Sequence, residues 1–144
     1  MKFGSIHDHV AFQLHLTWRA TRKALRAQLD KGERKVSRGS YSIPILIGLN
    51  PGITPMQLAN ALHLDASKVA LFLRDLVKQG LVTRTRSTED RREVQLHLTP
   101  AGEAFAQEAD LAGAELEAPF DNVLTAQERR TLVALLIKLR DGLS

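Results

Sequence analysis

Residues 53–99 read ITPMQLANALHLDASKVALFLRDLVKQGLVTRTRSTEDRREVQLHLT, and the fold is decided there because each boundary in the stretch carries its own chemical mark. Thr54 is placed as an N-cap, Pro55 falls at the first helical position where its missing N–H costs nothing, and Gln57 completes a capping box three residues after the cap. Met56, Leu58, Ala59 and Leu62 give this helix an apolar face. His63-Leu64 makes a turn, and Asp65 is a second N-cap candidate before a helix from Ala66. Its expected buried side is Val69, Leu73, Leu76 and Val77, and Gly80 supplies the left-handed residue that ends it, with Leu81 packing back on Leu76. Ser67, Lys68, Ala70, Leu71, Arg74 and Lys78 are left facing outward.

After Leu81 the helical period gives way to strict alternation through Glu93, Val94, Gln95, Leu96, His97 and Leu98, which is the signature of a half-buried strand. Residues 82–86 are its expected partner, and the charged residues 87–92 form the hairpin tip carrying Arg91 and Arg92. Two helices across a short turn, followed by a basic hairpin, can set one helix in a DNA major groove while the hairpin reaches a neighbouring minor groove. The expected fold is mainly α with a small β-hairpin wing: a winged helix-turn-helix lobe over 41–99, between dimerisation helices over 1–40 and 100–144.

The rest of the chain frames this lobe. From Ile6 to Asp30, Val10, Leu14, Trp18, Thr21, Leu25 and Leu29 recur at spacings of three and four, predicting a long amphipathic helix. Arg19, Arg22, Lys23 and Arg26 run beside that stripe, and Lys31, Arg34, Lys35 and Arg38 continue the basic run into a loop. Such a run is either a solvated face or a surface that binds phosphates of DNA or of an anionic effector. Residues 41–49 are a short apolar segment, read as a helix interrupted by Pro44, and Asn50-Pro51-Gly52 is a turn. Thr99-Pro100 repeats the cap-then-proline start, for an Ala-rich helix that Pro119 ends or kinks. Thr125 and Glu128 form a capping box for the last helix, whose stripe is Leu132, Leu135, Leu136, Leu139 and Leu143. Apolar stripes on both terminal helices, with a small winged lobe between them, imply burial against a second copy; the alternative is a monomer that folds them onto its own lobe.

Composition narrows the function. The 144 residues include no cysteine, so disulfides, thiolate metal sites and thiol redox sensing are excluded. No stretch approaches the roughly 20 apolar residues of a membrane span, and residues 1–12 lack a signal peptide's apolar run, so a cytoplasmic protein is expected. Net charge is +4 and unevenly spread: residues 1–50 carry nine Lys/Arg against three Asp/Glu, 51–98 seven against five, and 99–144 four against eight. A polyanion is expected to meet the amino-terminal and central parts, with the acidic end turned away from it. No nucleophile elbow, phosphate loop or zinc-protease motif occurs, and His7, His9, His15, His63 and His97 lack metal-ligand spacing, so neither enzyme, metal nor cofactor is expected.

The order of elements, the wing motif Asp90-x-Arg92, the exit Leu98-Thr99-x-x-Gly102 and the helix end Leu76-x-x-x-Gly80-Leu81-Val82 together resemble the MarR family of bacterial transcriptional regulators, over nearly the whole chain. The resemblance implies a homodimer with interleaved terminal helices and two winged lobes on successive turns of a palindromic operator. It implies that Ser67, Lys68 and Ala70 face the major groove, that Arg92 enters the minor groove and that Asp90 holds the wing. Thr54, Leu71, Arg74, Arg84 and Arg91 complete the candidate DNA-binding set. Leu71 departs from relatives that carry arginine or a polar residue there; it could meet a thymine methyl or pack inward. Residues 39–54 are similar to a branch controlling aromatic-acid catabolism, including regulators that sense hydroxycinnamoyl-CoA thioesters.

Two function classes follow. One is a repressor released by a small anionic effector, an aromatic acid or its CoA thioester. Candidate effector residues are His15, Trp18, Arg19, Arg22 and Tyr41 around an aromatic ring, with Arg34, Lys35 and Arg38 for thioester phosphates. Trp18 as core and a merely solvated basic loop is the competing reading of the same residues. The other class is an effector-independent architectural or RNA-binding winged helix.

Overall fold

The computed structural model describes residues 2–29, 42–86 and 93–143, the side chains of 24–29 excepted. A 3-10 turn over Gly4–Asp8 is followed by α1 (Val10–Leu29), α2 (Ser42–Leu49), α3 (Pro55–Leu62), α4 (Ala66–Lys78), β1 (Val82–Arg86), β2 (Val94–Leu98), α5 (Pro100–Glu115), α6 (Ala118–Asp121) and α7 (Ala126–Gly142). The expected mainly helical chain with a two-stranded antiparallel wing is what is found. The chain divides into two compact units, Met1–Arg34 with Glu115–Ser144, and Lys35–Ala114.

The second unit is the winged lobe. Its core is Ile43, Ile47, Leu58, Ala59, Val69, Leu73, Leu76, Val82 and Leu96, drawn from three helices and both strands, with Phe72, Leu81, Leu98 and Phe105 packed around it. Phe105 explains why this unit takes in most of α5 and runs past residue 99. The start of α5 is tied down as well: Thr99 N–H donates to Leu81 O at 3.0 Å, its hydroxyl donates to Gly80 O at 2.7 Å, and the same oxygen accepts from Gly102 N–H at 3.0 Å.

α3 starts as its sequence dictates. Thr54 Oγ1 accepts from Gln57 N–H at 3.2 Å while Gln57 Oε1 accepts from Thr54 N–H at 2.8 Å, the full capping box. The helix ends at His63, which takes a left-handed conformation at φ 49° and so turns the chain into α4. α4 ends in a Schellman motif: Gly80, at φ 71°, donates to Val77 O, and Leu81 N–H donates to Leu76 O. The strands pair in the register Val82↔Leu98, Thr83↔His97, Arg84↔Leu96, Thr85↔Gln95 and Arg86↔Val94. On the other side of β2, Gly52 N–H donates to Leu96 O at 2.9 Å and Leu96 N–H donates to Ile53 O at 3.0 Å. The turn before α3 is thus bonded to the inner strand of the wing.

Five local expectations need correction. Met56 and Val77 are exposed, because the buried stripe of α4 passes through Phe72 instead of Val77, and α3 turns Leu58 and Ala59 inward while Met56 points out. Pro44 does not interrupt α2; it is the third residue of that helix, within the first turn, where no intrahelical N–H is required, and it is buried. Pro119 does not end α5, which stops at Glu115; the proline lies in the first turn of the short α6. Ile6 belongs to the 3-10 turn, and the first helix begins at Val10.

In the first unit, Phe3 packs on Phe12 with ring centroids 5.7 Å apart. α7 opens with a second complete capping box, Thr125 with Glu128, and Arg129 reaches back to Glu117 at 2.6 Å and Asp121 at 3.7 Å, fixing the start of α7 to the segment before it. α7 has no buried residue: Leu132, Leu135, Leu136 and Leu143 are all exposed in the single chain, as are Val10, Leu14 and Trp18 on α1. No helix among the described residues is long and apolar enough to cross a membrane.

Candidate nucleic-acid interface

The outer face of α4 is built by subtraction. Once Val69, Phe72, Leu73 and Leu76 turn inward, helical geometry leaves Ser67, Lys68, Ala70, Leu71 and Arg74 on the opposite side. All five are exposed. Leu71, for which the sequence leaves two orientations open, points outward and is 48% exposed. Arg84 on β1 joins them, and with Val77 these residues line one open groove between α4 and the wing's first strand. Lys68, Arg74 and Arg84 make the groove cationic. Sequence reasoning misses Val77 because it assigns that residue to the core; its spacing of three from Arg74 is the signal that could have found it.

Asp65 behaves differently from its expected role. It occupies the N-cap position of α4 but makes no side-chain cap bond. Its Oδ2 lies 2.8 Å from Lys68 Nζ instead. The hydrogen bond from Lys68, and then its charge, hold the Asp65 carboxyl below the ordinary aspartate value. Lys68 therefore already has an acidic partner at the groove's edge.

Thr54, one of the candidate DNA contacts, caps the start of α3. It is only 9% exposed, and its hydroxyl and N–H are both engaged in the capping box with Gln57. Asp90, Arg91 and Arg92, expected at the wing tip, lie outside the described residues, as do the effector candidates Arg34, Lys35, Arg38 and Tyr41. The remaining effector candidates, His15, Trp18, Arg19 and Arg22, are exposed on α1. Trp18 is 60% exposed, so it is not core within the single chain, and the guanidinium carbon of Arg22 lies 5.9 Å from the centroid of its ring. Among the described residues no group of three or more His, Asp or Glu is placed to hold a metal ion.

A helix-turn-helix followed by a two-stranded hairpin, with a cationic outer face on the second helix, is matched by a MarR family model over residues 36–94. The chain belongs to the MarR family. It is thus a member of a family of DNA-binding transcriptional regulators. A putative transcriptional regulatory protein for the hcr operon of Thauera aromatica is 34% identical over 104 residues, which is 72% of this chain and 63% of that protein. The chain therefore matches somewhat less than two thirds of that relative's length. A mutant of Escherichia coli MarR complexed with operator DNA shares the fold with a TM-score of 0.77 and 25% identity, covering 96% of this chain and 99% of that one. The PcaV regulator of Streptomyces coelicolor, in complex with its natural ligand, has a TM-score of 0.81 at 19% identity over the full length of both chains.

Proposed function

We propose that this MarR family member is a cytoplasmic repressor that binds a palindromic operator as a homodimer and is released by a small anionic effector. The observation that carries the DNA-binding half is the groove in which Ser67, Lys68, Ala70, Leu71 and Arg74 of α4 meet Arg84 of β1. In this reading α4 enters the major groove, Lys68, Arg74 and Arg84 engage phosphates, and the wing carries Arg91 and Arg92 toward the minor groove with Asp90 supporting them. The homodimer is supported by α7, whose Leu132, Leu135 and Leu136 are exposed in the single chain while Leu139 is half-buried. Leaving that much contiguous apolar surface in water is unfavourable, and a second copy related by a two-fold axis would cover it.

The effector half rests on α1. An exposed tryptophan face with an arginine over it is suited to an aromatic ring bearing a carboxylate, with His15 as a hydrogen-bond partner and Arg19 as a second cation. A CoA thioester would in addition use Arg34, Lys35 and Arg38, and Tyr41 would complete the aromatic site. The effector acts through different affinities for the DNA-competent and DNA-incompetent arrangements, so it and the operator must weaken each other by the same factor.

The test has two arms. Mobility shifts with operator duplex, random duplex and structured RNA must show preference for the operator; equal binding to random duplex or RNA overturns the regulator reading in favour of an architectural or RNA-binding protein. Titration calorimetry of a hydroxycinnamate and its CoA thioester, with and without operator, must show binding that operator weakens. Heats indistinguishable from dilution for both compounds overturn this class of effector.

A further inference from the structure

Leu71 is out of place on chemical grounds. It lies on the outer face of α4, 48% exposed, one turn after Ser67 and within one turn of Arg74, and it takes no part in the core of the winged lobe. A leucine in that position gains nothing from water, and replacing it by a polar residue would cost the lobe no core contact. A second copy of the chain is a poor occupant of this face, since Lys68, Arg74 and Arg84 line the same groove and face-to-face contact would set like charges against each other. The partner the groove fits is a polyanion that also presents an apolar group. Among the base edges of a DNA major groove, the apolar group is the thymine C5-methyl.

Resting on the DNA-binding reading above, we infer that Leu71 is a specificity-determining residue that reads a thymine methyl in each operator half-site. Its side chain has neither donor nor acceptor, so it distinguishes bases only by apolar contact. Opposite a cytosine edge it would cover an amino group without satisfying it, which disfavours C at that position. Ala70, adjacent on the same face, leaves room for the methyl, while the surrounding cations hold the helix to the phosphates without choosing a sequence.

The experiment uses the full chain and a duplex carrying the inverted repeat it selects from a random-sequence library. Fluorescence anisotropy is measured on that duplex and on versions with each thymine replaced singly by deoxyuridine, which removes the methyl and leaves the hydrogen-bonding edge intact. Wild type is expected to lose roughly fourfold in affinity at one thymine per half-site, the worth of burying one such carbon group. Leu71→Ala is expected to bind the thymine duplex more weakly and to respond equally to thymine and uracil there, and Leu71→Met, which keeps the apolar reach, to retain the dependence. Because Leu71 is exposed, both variants should give the wild-type circular dichroism melt. If no uridine substitution weakens wild type, or if Leu71→Ala keeps the wild-type ratio of thymine to uracil affinity, the inference is wrong while sequence-specific DNA binding stands. Failure of the chain to select any duplex overturns the DNA-binding reading itself, and this inference with it.

Discussion

Gly102, in the first turn of α5, is pressed against the peptide carbonyl of Leu81: a Cβ built on Gly102 would overlap the Leu81 oxygen, with the carbonyl carbon 2.9 Å away and the Leu98 Cβ at 3.3 Å. The obstacle is backbone that is itself held, since the same Leu81 oxygen accepts from Thr99 N–H. Replacing a helical glycine by alanine would ordinarily stabilise by roughly 0.5–1 kcal/mol. Here the overlap must win, because neither peptide can move without breaking the Thr99 bonds. Gly102→Ala is expected to destabilise the winged lobe by about 1–3 kcal/mol, the range for forced overpacking. Urea denaturation checks it, and an unchanged or raised midpoint would show that the α5 start gives way freely.

The Asp65–Lys68 pair makes a prediction of opposite sign for DNA. Asp65 makes no cap bond, so Asp65→Asn should leave the fold intact; it frees Lys68 and removes a negative charge from the groove's edge. Operator and random-duplex affinity should both rise, about threefold, the scale of an exposed ion pair. The carboxyl is held below its ordinary 3.8, so the pair stays formed across neutral pH, and the gain should be the same at pH 6 and pH 8. Anisotropy at fixed salt reads this directly, and equal affinities of the two proteins would show that Lys68 does not meet phosphate.

Arg74→Ala and Arg84→Ala are expected to weaken operator and random DNA alike, each lowering the slope of log affinity against log salt by about one unit if the residue neutralises one phosphate. Loss confined to the operator, with the slope unchanged, would assign that arginine to a base edge instead.

Leu136→Asp is expected to dissociate the proposed homodimer and lower operator affinity, although α7 and the α4 groove belong to different units of the chain. A charge cannot be desolvated in an apolar seam without a partner, which costs several kcal/mol by the usual scale of buried unpaired ions. Sedimentation velocity of wild type and variant checks this, and a wild-type monomer that binds operator would remove the dimer from the mechanism.

The capping box of α7 gives a pH dependence. Hydrogen bonds from Thr125, first from its hydroxyl and then from its N–H, hold the Glu128 carboxyl below the ordinary value of 4.5. A depressed folded-state value means that the contribution is fully present above 4.5 and is lost as pH falls through the folded value. The difference in melting temperature between wild type and Glu128→Gln should therefore be constant at neutral pH and shrink below 4.5. A difference that persists unchanged in acid would show that the ionised carboxylate is not what caps α7.

What can be read from the sequence is what local chemistry decides. The boxes at Thr54 with Gln57 and Thr125 with Glu128, the left-handed Gly80 and the alternation through residues 93–98 each involve neighbours a few positions apart, and each stands in the structure as read. The errors lie where rotation or distance matters. A small turn of α4 about its axis exchanges Phe72 for Val77 in the core, a choice periodicity alone does not make. Gly102 is visible as part of a motif, but its cause lies 21 residues upstream at Leu81. The bond of Gly52 and Ile53 to Leu96 joins segments more than 40 residues apart and leaves no periodic trace. Of the candidate site, the α4 face is legible because it is what the core excludes; at Thr54 a capping hydroxyl and a DNA-contacting hydroxyl look alike in sequence.

The bonding of Gly52 and Ile53 to Leu96 bears on how a signal can travel. The inner strand of the wing is laced on one side to β1 and on the other to the turn that launches α3, while Thr99 stitches its exit to the loop closing α4. The hairpin's root and α4 are thus hydrogen-bonded into one part, like a key cut from one blank. In the proposed homodimer released by an effector, that effector would find no slack there to exploit. It would have to displace the two keys relative to each other, so its action should register as altered tolerance for the spacing between operator half-sites and leave the preference within each half-site untouched.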